Sequence, residues 1–411
     1  MVYSAPHIFG RTSPLPLFTR LAGAAGLALT LAACGPTGPS SVETPLSAPT
    51  SPVTATPLGG DAANQIGSGP VRVAMILPLT QNAGPSVVGA SLRNAAELAM
   101  SEAGSNDITI LIKDDKSSAE GARAAAQAAL SEGAELFIGP LFAPNVREVG
   151  RVAKGANRPV IAFSTDTSTA SRGVYLLSFL IESYVDRIID HAAAKGKKSI
   201  AALIPENDYG RVAEAAFQQA AARKGLRVMA VERFAAGGAA GAAQKIAGVS
   251  AQIDSLFIPE QADAMPAMSQ ALLANGIDPK RIQILGTGLW NDARVLKLPA
   301  LQGAWFAAPE NAGFNSFAQR YRAKYGTDPT RIATLGYDAV SLVAALARTQ
   351  GTQRFAESVL TNGSGFNGAD GVFRFRPEGQ NERGLAVMQI NNGNAAAVSP
   401  APRSFTGASG T

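Results

Sequence analysis

The chain reads as a two-lobed α/β protein, each lobe a parallel sheet flanked by helices, with a multi-strand hinge between them. Three observations predict this. Short β-rich apolar runs alternate with helical stretches, the alternation runs through two separate series, and two amphipathic helices then follow with no strand between them. The first series opens with the strand Val71–Leu77, the loop 78–85 and a helix over Val88–Ala103. It continues with Ile108–Lys113 and Ser118–Leu130, Leu136–Ile138 and Asn145–Lys154, and the strand Val160–Phe163. The second series pairs Ser199–Ile204 with Gly210–Arg223, Arg227–Val231 with Gly241–Ile253, and Ser255–Ile258 with Ala262–Ala274, then ends in Ile282–Leu285.

Between the two series, Ser178–Ser183 reads as a first crossover, and near Ala304–Pro309 the chain leaves the second sheet. The helices Asn315–Tyr325 and Ala333–Arg348 must then pack on something already built, which points back to the first lobe. The hairpin Gly371–Arg376 and the run Leu385–Ile390 are expected to finish the second lobe. Lobe 1 is thus expected over residues 71–181 and 309–348, lobe 2 over 182–308 and 349–398, and a disordered tail over 399–411. Repeated crossovers make a hinge, and a cleft between lobes is where ligands usually sit.

Composition narrows the function classes. The 411 residues are 46% hydrophobic and 16% charged, enough to bury more than one core. The formal charge of +5 drops to +3 if a leader carrying Arg11 and Arg20 is removed, and the remaining cations are dispersed among acids. Nothing here tracks a phosphate backbone, so no nucleic acid is expected. One cysteine and two histidines exclude an internal disulfide and a Cys/His zinc site. His191 falls in the helical stretch 188–195 and reads as a solvated or helix-packing residue.

The amino terminus has its own pattern. Two arginines and no acid precede the apolar run Leu21–Leu31, which is short of the ~20 residues a membrane span needs. Leu31-Ala32-Ala33-Cys34 follows at once, and Gly35-Pro36-Thr37-Gly38-Pro39 breaks any helix. The four residues resemble the lipobox of bacterial lipoproteins. That resemblance implies a signal peptide over 1–33, lipid on Cys34 and a membrane anchor of several acyl chains. Gly35 after the cysteine resembles lipoproteins sorted to the outer membrane. From residue 34 to 70, Pro, Ser, Thr and Gly dominate, with the composition of a disordered tether.

From Val71 to about Gly393 the chain resembles the type I periplasmic binding protein superfamily, leucine-binding-protein-like domains included. The matching stretches come in order: Val73–Thr80, Lys113-Asp114-Asp115, Phe137-Ile138-Gly139-Pro140, Arg158-Pro159-Val160-Ile161, Asp208-Tyr209-Gly210 and Tyr321–Gly326. Within the superfamily, Gly139–Ala143 and Ile161–Asp166 look most like the lipoproteins that activate penicillin-binding proteins. The resemblance implies a non-catalytic envelope protein whose partner is a peptidoglycan synthase. The alternative it implies is the lipid-anchored receptor of an ABC importer, with a permease and an amino-acid-like ligand as partners. No cofactor or metal is implied.

In such receptors a hydroxyl after the Gly-Pro loop and a Ser/Thr set after the fourth strand hold a carboxylate, helped by helix N-terminal amides. Here the first position falls on Ala143, while Ser164 and Thr165 remain and Asp166 follows them. Thr80, Gln81, Leu141 and Phe142 belong to the same rim. On the second lobe the corresponding positions are Tyr209, Glu260 and Trp290. Tyr209 either contacts ligand or packs beside Asp208 acting as a helix cap, and Ser164 and Thr165 either hold ligand or cap a turn. Asp114 and Asp115, neighbours at a strand end, point to opposite faces and read as loop solvation and capping. No Gly-x-Ser-x-Gly elbow, His-Glu-x-x-His helix or Ser-x-x-Lys set occurs, so an enzyme is the reading with least behind it.

Overall fold

The structure is a computed structural model and describes residues 64–104 and 106–405. The expected leader, Cys34 and most of the tether lie outside the described residues. From residue 64 the chain forms β1 (Gln65–Ile66), β2 (Val71–Leu77), the short pair β3 (Thr80–Gln81) and β4 (Gly84–Pro85), and α1 (Val87–Ala103). Next come β5 (Ile108–Asp114), α2 (Ala119–Ser131), β6 (Leu136–Ile138), α3 (Ala143–Gly155), β7 (Val160–Ala162) and β8 (Val174–Leu176). The sheet order is β1-β5-β2-β6-β7-β8. All neighbours run parallel except β1, which lies antiparallel along β5. The tether therefore ends earlier than expected: Ile66 pairs Ile110 and is buried, because a bare edge of β5 offers it both hydrogen bonds and an apolar surface.

Local chemistry accounts for these elements. β2 is apolar at nearly every position because helices cover both faces of a parallel sheet. α1 begins where the Ser86 hydroxyl accepts the Gly89 amide and stops at Gly104, whose φ of 53° lies in the left-handed region. Ser118 caps α2 in the same way.

The second lobe runs α4 (Ile181–Ala194), β9 (Ser199–Pro205), α5 (Asp208–Lys224), β10 (Arg227–Phe234), α6 (Ala239–Ala247) and β11 (Ser255–Phe257). It continues through α7 (Met265–Ala274), β12 (Gln283–Gly286), α8 (Ala293–Leu296) and β13 (Trp305–Ala308). The chain then returns with α9 (Asn311–Tyr325), α10 (Ala333–Thr349) and α11 (Glu357–Leu360), and makes β14 (Phe366–Gly368), β15 (Gly371–Phe375) and β16 (Asn381–Arg383). Finally it crosses over to β17 (Ala386–Asn391) and β18 (Asn394–Ser399). The second sheet is ordered β10-β9-β11-β12-β13-β17-β18, with the last two strands antiparallel.

As expected, α9 and α10 pack on the first lobe. Leu335, Ala339 and Val343 share a core with Val73, Met75 and Ile110, and Phe317 and Tyr321 pack with Ala95 and Leu98. The hairpin around β15 does not finish the second sheet. It forms a separate three-stranded sheet, β14-β15-β16, whose Phe373 and Phe375 enter the first core, the latter 5.4 Å from the Tyr175 ring. Alternation puts both phenylalanines on one face, and the nearest apolar surface is the first lobe. Leu360 joins the same core, so the stretch 349–383 that sequence assigned to lobe 2 packs on lobe 1. The tail is likewise structured as far as residue 405: Asn394–Ser399 is a strand, the Ala401 amide donates to Glu310 Oε1 at 3.0 Å, and the Arg374 guanidinium lies 4.5 Å from the Phe405 ring.

The lobes are joined at 177–180, 309–310 and 384–385. The Ser178 carbonyl in the first connection accepts from Asn381 Nδ2 and Arg383 Nε beside the third, each at 3.0 Å. Arg187 Nε donates to the Leu385 carbonyl at 2.8 Å. Arg383 is enclosed here, its side chain 2% exposed and its guanidinium 4.7 Å from the Phe179 ring.

Candidate functional site

Both sheets are parallel at their centres, so the strand carboxyl ends and the loops that follow them, which carry the candidate residues, gather at one end of each sheet. On lobe 1 the loop after β2 is pinned by Asp114. Its Oδ1 accepts the Leu79 and Thr80 amides at 3.0 and 3.2 Å, and its Oδ2 accepts the Thr80 hydroxyl at 2.7 Å. Thr80 is thus committed internally, while Gln81 stands exposed on β3. Asp115 is fully buried rather than solvated, accepting from Ser117 N and Asn145 Nδ2 at 2.8 Å each; burial pushes its carboxyl up.

After β6 the Gly139-Pro140 peptide is cis and Gly139 has φ of 82°. A Cβ on Gly139 would stand 2.1 Å from the Ile76 carbonyl oxygen, so glycine is required where the two strands' ends meet. Leu141 packs against the first core, and half-buried Phe142 heads α3 without a side-chain cap, which leaves the leading amides of that helix uncapped by any side chain.

After β7, Ser164 is buried and its hydroxyl accepts the Asp166 amide at 3.1 Å, while Thr165 is exposed. Asp166 turns to α3: it accepts from the Ser168 hydroxyl at 2.6 Å and from Arg147 Nη2 at 2.8 Å. The Ser168 hydroxyl first, with Arg147 assisting, holds its carboxyl below the usual range. Asp166 is thus committed to the turn that follows it and to Arg147 on α3.

From the second lobe one hydrogen bond reaches across to this wall. Thr167 Oγ1, from lobe 1, donates to Glu182 Oε1 of α4 at 2.9 Å. The other oxygen, Glu182 Oε2, is buried with no hydrogen-bond partner. Tyr184, two residues further along α4, lies so close to Gly288 that a Cβ there would sit 2.7 Å from its Cζ. Burial pushes the Tyr184 phenol up to about 12, against the opposing pull of Arg331 and Arg383. Tyr209 donates its hydroxyl to the fully buried Thr287 Oγ1 at 2.9 Å, and burial raises its phenol as well. Asn207, not Asp208, caps α5 through the Gly210 amide, and Asp208 instead pairs with Arg211 at the surface.

Glu260, after β11, is buried, its Oε1 accepting the Gln261 amide at 2.6 Å; burial pushes its carboxyl up. Trp290 does not reach any cleft. It is fully buried in the second core, lying over Gly286, where a Cβ would meet the indole at 2.3 Å. The short helical turn 288–290 swings the ring inward, where apolar burial outweighs its Nε1, left without a partner. His191 is buried, its ring edge-on to Trp305 at 4.9 Å; burial, then Arg187 and Lys195, lowers it to about 4. The packing reading of His191 fits these contacts and the solvated one does not.

Sequence reasoning missed Glu182, Tyr184 and Arg331. Arg331 is held by Asp370 at 2.9 and 2.7 Å and lies 4.6 Å from both the Phe179 and Phe314 rings, at the hinge and within electrostatic reach of Tyr184. The available signal was an acid and an aromatic in the first helical turn directly after a crossover. Among the described residues no group of three or more His, Cys, Asp or Glu side chains is placed to hold a metal ion.

The sequence profile described as "Periplasmic binding protein" matches residues 70–395. No curated protein matches the chain. Among solved structures, a putative branched-chain amino acid ABC transporter protein from Rhodospirillum rubrum is similar at 19% identity and a TM-score of 0.70, covering 80% of this chain and 99% of that one. A branched-chain amino acid transporter substrate binding protein from Streptococcus pneumoniae, solved with isoleucine, is 20% identical with a TM-score of 0.56 over 81% and 99%. A solute binding protein of an ABC transporter from Rhodopseudomonas palustris, solved with 3,4-dihydroxybenzoic acid, is 21% identical with a TM-score of 0.56 over 80% and 96%.

Proposed function

The chain belongs to the periplasmic binding protein family, and on that premise we propose that it is a non-catalytic receptor that closes on a small amino-acid-like ligand and presents it to an ABC permease. A periplasmic or envelope location goes with the membership. One observation carries the ligand class: Glu182 spans the lobes through Thr167 and keeps a second, buried oxygen without a partner. An unmet carboxylate oxygen in a low-dielectric cleft is a strong acceptor for an ammonium group. Glu260 adds a second buried acid on the same lobe. The uncapped amides of α3 and the exposed Thr165 supply donors for a carboxylate on the other. A zwitterion satisfies both walls.

The loop Gly139–Ala143, which resembles the activators of penicillin-binding proteins, is accounted for by its own geometry: Gly139 relieves a backbone contact and Leu141 fills the first core. It offers no surface that asks for a synthase, so the receptor reading stands first. Anchorage through lipid on Cys34, in the outer membrane, remains part of the proposal.

Titration calorimetry of the full chain in a zwitterionic detergent, across amino acids and aromatic acids, tests the reading. We expect heat from at least one amino acid, with Glu182→Gln and Glu260→Gln each weakening it about tenfold or more. Silence across the panel would sink it. Tight binding of an aromatic acid that is indifferent to Glu182→Gln would replace the ammonium assignment. Crosslinking in intact cells should recover a permease; recovery of a penicillin-binding protein alone would restore the activator.

A further inference from the structure

Away from the cleft, a cavity of about 670 Å³ runs along the flank of lobe 1 between α3, the loop leading into β8, and the start of α11. Its walls carry five cations, Arg147, Arg151, Lys154, Arg158 and Arg172, against a single acid, Glu357. The first three recur at helical spacing on α3 and Arg158 continues the line just past its end, so one face of the helix is a basic stripe. A chain whose cations are otherwise interspersed with acids concentrates them here in a concavity.

Helix-end charge compensation accounts for Lys154 in the last turn of α3. It does not account for Arg158, beyond the helix, or for Arg172, on a different segment facing the same space. Three of the five have acid partners: Arg147 with Asp166 at 2.8 Å, Arg151 with Glu148 at 2.9 Å, and Arg172 with Glu357 at 2.5 Å. These cations are 51%, 71% and 80% exposed, so the pairs are surface contacts of little net worth that incoming anionic oxygens can replace. Lys154 and Arg158 are exposed and make no ion pair among the described residues.

The geometry points to a second binding site, separate from the amino-acid cleft, for a small multiply charged phosphate compound such as an oligophosphate. Guanidinium groups bind phosphate in a bidentate fashion, and four of the five cations are arginines. The volume suits a small molecule seated in a concavity open to solvent on one side, a shape that does not suit a flat lipid surface. The site goes beyond the receptor reading and does not depend on it.

Tripolyphosphate is the probe, followed by calorimetry and thermal midpoint on the full chain in a zwitterionic detergent. The expected result is saturable binding that weakens as salt rises from about 50 to 200 mM and is far tighter than for inorganic monophosphate. Lys154→Gln with Arg158→Glu should reduce affinity about tenfold or more while lowering the ligand-free midpoint only slightly, through the helix-end charge that Lys154 supplies. Absence of binding at millimolar tripolyphosphate overturns the proposal. So does wild-type affinity in the double variant, or equal affinity for monophosphate.

Discussion

Replacing Arg383 with methionine tests whether the hinge is held by a buried cation. The side chain is 2% exposed and does three things at once: its Nε donates to the Ser178 carbonyl at 3.0 Å, its guanidinium covers the Phe179 ring at 4.7 Å, and its Nη2 lies 3.9 Å from Asp338 Oδ2. Asp338 is itself completely enclosed, with a Gly368 Cβ excluded by its carboxylate at 2.4 Å and one oxygen accepting the Ala369 amide at 2.6 Å. Removing Arg383 takes away the cation that lowers the Asp338 carboxyl, so the enclosed acid takes up a proton instead of standing as an unpaired charge; what is lost is the hydrogen bond to Ser178, the ring contact and the long ion pair, about 2–4 kcal/mol in all. The double variant Asp338→Asn with Arg383→Met replaces a carboxyl that is already neutral, so at pH 5 it should stay within about 1 kcal/mol of Arg383→Met. Urea unfolding followed by far-ultraviolet dichroism measures both. A loss below about 1 kcal/mol for Arg383→Met, or a double variant that recovers most of the single variant's loss at pH 5, refutes the argument.

Three further outcomes follow from the same physics. Burial raises the Asp338 carboxyl to about 7 against the pull of Arg383, above its ordinary 3.8, so the folded chain holds that proton more tightly than the unfolded one. Its contribution to stability is complete below about pH 4 and is lost as pH rises through 7, by about 4 kcal/mol in all; Asp338→Asn should flatten that slope in unfolding midpoints measured from pH 4 to 8. Gly139→Ala forces a Cβ to within 2.1 Å of the Ile76 carbonyl at a φ of 82°, and should lower stability by about 2–4 kcal/mol in the same urea assay, because backbone on both sides cannot yield. His191 should stay neutral from pH 5 to 8 and gain a proton only near 4, visible as imidazole shifts in proton magnetic resonance.

The parts of the fold that show in sequence are those governed by local periodicity. β2, β5 and β9 are mostly apolar, and buried over most of their length, because helices cover both faces, and that run of residues reads directly. The return of α9 and α10 to the first lobe could be deduced because amphipathic helices need a surface to cover. The allegiance of β15 could not: Phe373 and Phe375 declare that one face is buried but not against which lobe, and only the tertiary path decides it. β18 was invisible for the opposite reason, its Asn-Ala-Ala-Ala-Val-Ser run having little strand preference until β17 supplies a partner.

The candidate site divides along a similar line. Tyr209 and Glu260 were found because they follow closely on strands, where a motif and a loop coincide. Trp290 looked equally well placed, yet a three-residue helical turn rotated it into the core. Glu182 and Tyr184 sit at the start of α4, where charged and aromatic residues look like an ordinary amphipathic helix. Their role comes from Thr167 and Gly288, which are 15 and 104 positions away in the sequence and reach them only through the crossover.

The three connections between the lobes have a mechanical consequence. Strips that run side by side from one plate to another bend together easily, but twisting the plates would lengthen the outer strips and shorten the inner one. The bonds from Asn381 and Arg383 to the Ser178 carbonyl rivet the first strip to the third, so they cannot slide past each other to relieve that mismatch. The motion we expect between the lobes is therefore a bend rather than a twist, and one distance across the cleft would follow it.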